Sequence, residues 1–167
     1  GQTKVAENWS KSLRELAGDA ILSALHDAQL STADAFFLGN MMSSAANHQQ
    51  NLGAYVTDWV GSRGAESIRI ESACSSGSAA FRSAVLAVAS GEVNIAVAAA
   101  VEKMTDSPGA ETTAYLATAA DADWEVDQGV SFVALNALIM QRYMYEYGWE
   151  HQHFANFSIK KLRRVPI

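Results

Sequence analysis

Residues 67–101 constrain the fold more than any other part of this chain. Residues 67–71 form a short strand-like run. They lead through a corner, Ser72-Ala73-Cys74-Ser75, into residues 76–90, an Ala-rich helix that is apolar nearly all round and is stopped by Gly91. A helix with this pattern is expected to be buried. Residues 93–101 follow as a continuous apolar run of mostly small side chains, which suits a strand covered on both faces. Strand, helix and strand in this order require a crossover connection, so the strands are expected to lie parallel in one sheet.

The upstream sequence extends the alternation. Residues 12–29 carry a helical stripe of Leu13, Leu16, Ala20, Leu22 and Leu25, with Ser10 as the expected N-cap. Residues 35–38 read as a strand ended by Gly39-Asn40, and residues 49–60 as a helix closed by Gly61. The fold class is therefore α/β, with a parallel layer at its centre. Three segments are expected. Residues 1–101 make the α/β core. Residues 102–128, with Pro108-Gly109 and an acidic run at 121–127, make an excursion with short helices. Residues 129–167 make helices over 129–147 and 150–164 that return to the core, with a basic run at 160–164 and Pro166 ending any helix there.

Composition narrows the function. The chain has 167 residues, 49% of them apolar, enough for one domain with a proper core. Its net charge of −6 argues against nucleic acid or an anionic membrane as the main partner. No apolar run is long enough to span a bilayer. A single cysteine excludes an internal disulfide framework and suits a reducing compartment, so the cytoplasm is the expected location, with the peroxisome open.

That cysteine, Cys74, is the chief candidate for chemistry. It stands at a strand-to-helix corner, where unpaired backbone N–H groups and the helix dipole favour negative charge. Such elbows present nucleophiles in several enzyme classes. The competing reading is a small buried apolar residue. The four histidines, His26, His48, His151 and His153, offer no comparable setting. His151 and His153 are two residues apart and face different ways on a helix, so no metal site is expected.

Around Cys74 the chain resembles the thiolase family, nearest the sterol-carrier-protein-x-like and archaeal acetyl-CoA acetyltransferase branch. The likeness rests on Gly1-Gln2-Thr3-Lys4, Ser12-Leu13-Arg14-Glu15-Leu16, Gly39-Asn40-Met41, Glu71-Ser72-Ala73-Cys74-Ser75-Ser76-Gly77, Leu86-Ala87-Val88-Ala89-Ser90-Gly91-Glu92, Val101-Glu102-Lys103-Met104-Thr105-Asp106 and Met144-Tyr145-Glu146-Tyr147-Gly148. Each motif alone is weak; the ordered set is specific. The resemblance implies a layered fold of two similar α/β halves, of which this chain is the N-terminal half with an incomplete mixed sheet and a helical loop-domain excursion. It implies Claisen condensation or thiolysis of acyl-CoA thioesters through an acyl-cysteine on Cys74, with the Cys74 backbone N–H as part of an oxyanion hole. Coenzyme A thioester is then the substrate, and no cofactor is expected. Met104 and Asn40 are implied as substrate-binding residues. Their other readings are packing beneath the excursion for Met104 and capping the turn after its strand for Asn40.

The implied partners are acyl-CoA, a second copy in a homodimer or homotetramer paired through the strand at residues 67–71, and HMG-CoA synthase with a small OB-fold protein. The family's Gly-His-Pro and Cys-x-Gly motifs do not occur in this sequence. The first strand expected ahead of Gly1 is missing too, so an incomplete chain, inactive alone, is expected. The alternative is a non-catalytic subunit that binds acyl-CoA or scaffolds a partner enzyme.

Overall fold

The structure, a computed structural model, describes the backbone of residues 1–162 and the side chains of residues 1–160. The expectation of a helix stop at Pro166 lies outside the described residues. The chain divides into one compact unit spanning Gly1–Ala119 and a second from Ala120 onward.

The first unit is built on three parallel strands in the order β2-β1-β3: β1 at Ala35–Gly39, β2 at Glu66–Ile70 and β3 at Ala96–Ala100. Ala35 pairs with Glu66 on one side and Ala96 on the other, and Gly39 pairs with Ile70 and Ala100. The carboxyl ends of all three strands therefore finish level. At the other end, the Asp34 carboxylate accepts the Asn94 and Ile95 N–H groups, both at 2.9 Å, and ties the approach to β3 against the start of β1.

β1 is buried along its whole length, and its alternating side chains serve two layers. Phe36 and Leu38 point toward α1 (Leu13–Asp27) and α3 (Leu52–Trp59), where they meet Leu13, Ala17, Ile21, Leu25, Leu52 and Val56. Ala35 and Phe37 point toward α4 (Ser76–Ala89), where they meet Ala80 and Ala84. α4 is not enclosed as its composition suggested. Only Ser76, Ala80 and Ala84 are buried, while Phe81 is 63% and Leu86 50% exposed. β3 is likewise only half-covered rather than closed on both faces.

Two helix starts differ from expectation for identifiable reasons. α1 is capped by Ser12 and not Ser10. The Ser12 hydroxyl accepts the Glu15 N–H at 3.3 Å, and the Glu15 carboxylate accepts the Ser12 N–H at 2.7 Å, a reciprocal capping box. The helix expected over residues 49–60 is preceded by a separate turn, α2 at Ser43–Ala46, and begins only at Leu52. His48 (φ +52°) and Asn51 (φ +49°) take left-handed backbone conformations, which no continuous helix tolerates.

Beyond β3 come α5 (Gly109–Ala117) in the first unit, then a single π-type turn (Ala122–Val126), α6 (Phe132–Tyr147) and α7 (His151–Leu162) in the second. Gly148 ends α6 at φ +65°. The turn it makes sets Tyr143 edge-to-face with Trp149 and Phe154, with ring centroids 5.1 and 6.0 Å apart. No described helix is long and apolar enough to cross a membrane.

Candidate active site

Cys74 lies in a single 3-10 turn, Ala73–Ser75, between the end of β2 and the first residue of α4. The turn is tight because short polar side chains make its bonds locally. The Ser76 hydroxyl accepts the Ser72 N–H at 2.9 Å and donates to the Ala73 carbonyl at 2.7 Å. The Ser75 hydroxyl donates to the Ser72 carbonyl at 2.6 Å, and the Glu71 carboxylate accepts the Ala73 N–H at 2.5 Å. Ala73 sits at φ +45°, a left-handed conformation that costs a residue with a Cβ of order 1 kcal/mol. The surrounding bonds hold that strain, and the thiol of Cys74 is exposed.

Two glycines set the elbow against the sheet. A Cβ on Gly39 would come within 2.5 Å of the Ser76 carbonyl oxygen and 2.7 Å of the Gly77 nitrogen, both backbone atoms. A Cβ on Gly77 would lie 3.1 Å from that of Ala100. Glycine at both places lets the start of α4 rest directly on β1 and β3, so Cys74 stands over the level carboxyl ends of the strands. Open parallel sheets place ligands at such ends, where connections leave in opposite directions.

A pocket of about 400 Å³ opens there, lined by Cys74, Gly39, Met41, Met42, Gly77, Ala100, Val101, Glu102, Met104 and Leu116 among others, and it is mainly apolar. The structure thus brings Cys74 and Met104 to one cavity. It places Asn40 behind the cavity wall, 1% exposed, with its amide donating to the Val101 carbonyl at 2.8 Å and to Glu102 at 3.0 Å, and its oxygen accepting the Ser43 N–H at 2.9 Å. None of the four histidines lines the cavity, and among the described residues no three or more His, Cys, Asp or Glu side chains gather as metal ligands would.

The residues that sequence reasoning missed are Glu102 and Arg69. Glu102, just past β3, accepts the Met41 N–H at 2.5 Å and the Met42 N–H at 3.2 Å. Arg69, on β2, donates to the Asn40 carbonyl at 3.1 Å, the Met41 carbonyl at 2.7 Å and the Ser44 hydroxyl at 2.8 Å. Glu102 keeps a solvent-facing edge, yet protein crowds its carboxyl. This desolvation raises its pKa above the usual 4.5, against the opposing pull of the Met41 and Met42 N–H groups and of Arg69. Lys103 beside it is buried and paired with Asp106. The available signal was the position of Glu102-Lys103 at the end of an apolar strand, where charge needs a partner.

The family model described as thiolase, N-terminal domain, matches residues 1–163. An acetyl-CoA acetyltransferase of Methanothermobacter thermautotrophicus is 41% identical over 160 residues, covering 95% of this chain and 41% of that protein. One of Methanocaldococcus jannaschii is 37% identical over 161 residues, with the same coverage. The chain therefore spans about two fifths of the length of these curated relatives.

Proposed function

Because the chain belongs to the thiolase family, we propose that the full-length protein transfers acyl groups between coenzyme A thioesters through Cys74. The observation that carries this reading is one exposed cysteine on a strained elbow, opening on an apolar cavity at the carboxyl ends of a parallel sheet. The Cys74 thiolate attacks the thioester carbonyl, coenzyme A leaves as its thiolate, and an acyl-cysteine remains. A second acyl-CoA loses an α proton to a base, and its carbanion attacks the acyl-cysteine carbonyl and expels the Cys74 thiolate. Thiolysis is the reverse. Backbone N–H groups at the elbow, that of Cys74 among them, are suited to stabilise the tetrahedral oxyanion. The apolar walls suit the acyl chain, with Met104 beside it and Asn40 supporting the wall from behind.

We assign the base and the second proton carrier to the rest of the full-length protein, and this chain alone is expected to be inactive. The rest of the protein would also cover the apolar outer side of α4. β2 is an edge strand, with Ile68 43% exposed, and suits pairing with a second copy. One other reading is a subunit that binds acyl-CoA in the same apolar cavity without turning it over.

Acetoacetyl-CoA thiolysis by the full-length protein separates the two. Turnover that falls at least about a thousandfold in Cys74→Ala supports the enzyme. Acyl-CoA binding with no turnover in wild type supports the binding subunit.

A further inference from the structure

The loop after β1 is held from both sides. The Asn40–Met41 and Met41–Met42 peptides each give their N–H to Glu102 and their carbonyl to Arg69, so a carboxylate just past β3 and a guanidinium on β2 grip two successive peptide units from opposite sides. The Asn40 side-chain amide also ends on Glu102. Met41 and Met42 form one wall of the Cys74 cavity. Methionine is flexible and adapts to whatever space it is given, so this wall has a defined position only if its backbone does.

We propose that Glu102 is a positioning residue that fixes the Met41–Met42 wall and so sets how large a group Cys74 can accept. The identity of that group, an acyl chain, rests on the acyl-transfer reading; the clamp does not. Removing the Glu102 carboxyl leaves Arg69 holding the loop's carbonyls and leaves Asn40 bonded to Val101 and Ser43. The loop then pivots on one anchor instead of unfolding, and the wall recedes. Glutamine at this position keeps one oxygen for the Met41 and Met42 amides but turns an NH2 toward the Asn40 NH2, which is a partial clamp.

The test uses the full-length protein and two thiol probes, N-methylmaleimide and the bulkier N-cyclohexylmaleimide, with modification followed by mass on the peptide that carries Cys74. Glu102→Ala removes the Met41, Met42 and Asn40 hydrogen bonds, and a share of them worth about one bond, felt at the wall, corresponds to roughly a threefold to tenfold change. The small-to-large rate ratio is expected to fall by that factor in Glu102→Ala, and by less in Glu102→Gln, while the small-probe rate stays within about twofold. Exposed Arg82→Ala is expected to leave both rates unchanged. A folded Glu102→Ala protein with the wild-type ratio overturns the proposal. Should that variant fail to fold, Glu102→Gln decides, and an unchanged ratio there overturns it equally. Acetyl-CoA loading of wild type separates the two readings. A collapsed ratio with no acetyl group on Cys74 keeps the clamp and removes acyl transfer; an acetylated Cys74 with an unchanged ratio does the reverse.

Discussion

The two faces of β1 are made by neighbouring residues of one strand and end in opposite situations. Phe36 and Leu38 look into a closed layer in which α1 and α3 present Leu13, Ile21, Leu25, Leu52 and Val56. Phe37 and Ala35, one residue away, meet a single helix through the small side chains Ala80 and Ala84. The first face is finished by large residues that interlock. The second is kept thin, and α4 carries exposed apolar side chains on its far side, Phe81 and Leu86 among them. The thin face is also the one on which Gly39 and Gly77 let backbone meet backbone, and it carries Cys74. Stability is concentrated on one side of the sheet and reactivity on the other.

The contrast can be broken most severely at Phe36, 0% exposed. Phe36→Ala is expected to lower the stability of this chain by about 4 kcal/mol in equilibrium denaturant unfolding; a cost near 1 kcal/mol would mean the closed face is loosely packed. Gly39→Ala comes next. Its clash is with backbone that cannot swing aside, so a loss of about 2 kcal/mol or more is expected, together with changed maleimide reactivity at Cys74. Lost stability with unchanged Cys74 chemistry would separate the elbow from the sheet.

Ser12→Ala, which opens the capping box on the closed face, is expected to cost about 1 kcal/mol. At the site, the raised Glu102 pKa gives a signed pH effect. A carboxyl whose folded pKa lies above its unfolded value contributes stability below the unfolded pKa, and that contribution is lost as pH rises through the folded one. Relative to Glu102→Gln, the wild type is expected to lose stability as pH rises above 4.5; a relative gain over that window would contradict the desolvation of this carboxyl. The smallest effect belongs to the open face. Phe81→Ala, with its side chain in solvent, is expected to change the stability of this chain by less than about 0.5 kcal/mol. A loss of several kcal/mol would show that the outer side of α4 is covered even here.

The contrast also explains what the sequence made legible. The order of strands and helices and the cysteine corner could be read because periodicity and an Ala-rich run are local signals. That α4 is apolar nearly all round was equally plain, but periodicity says only that a face wants covering and not whether anything in the chain covers it. The split between α2 and α3 was hidden, since a left-handed His48 or Asn51 leaves no mark as clear as glycine does. The Ser12 cap is readable from Ser12-Leu13-Arg14-Glu15, because the glutamate three positions on completes a capping box, whereas Ser10 has Leu13 at that spacing. The Glu102 clamp depends on β1 and β3 being neighbours although their residues stand about sixty positions apart, and only the sheet order brings them together.

The most direct measurement is the mass of the Cys74 peptide after the full-length protein has met acetyl-CoA and been denatured. One acetyl group on that peptide, absent when the full-length protein carries Cys74→Ala, is the expected result. An unmodified Cys74 in protein that binds acetyl-CoA would contradict acyl transfer through this thiol.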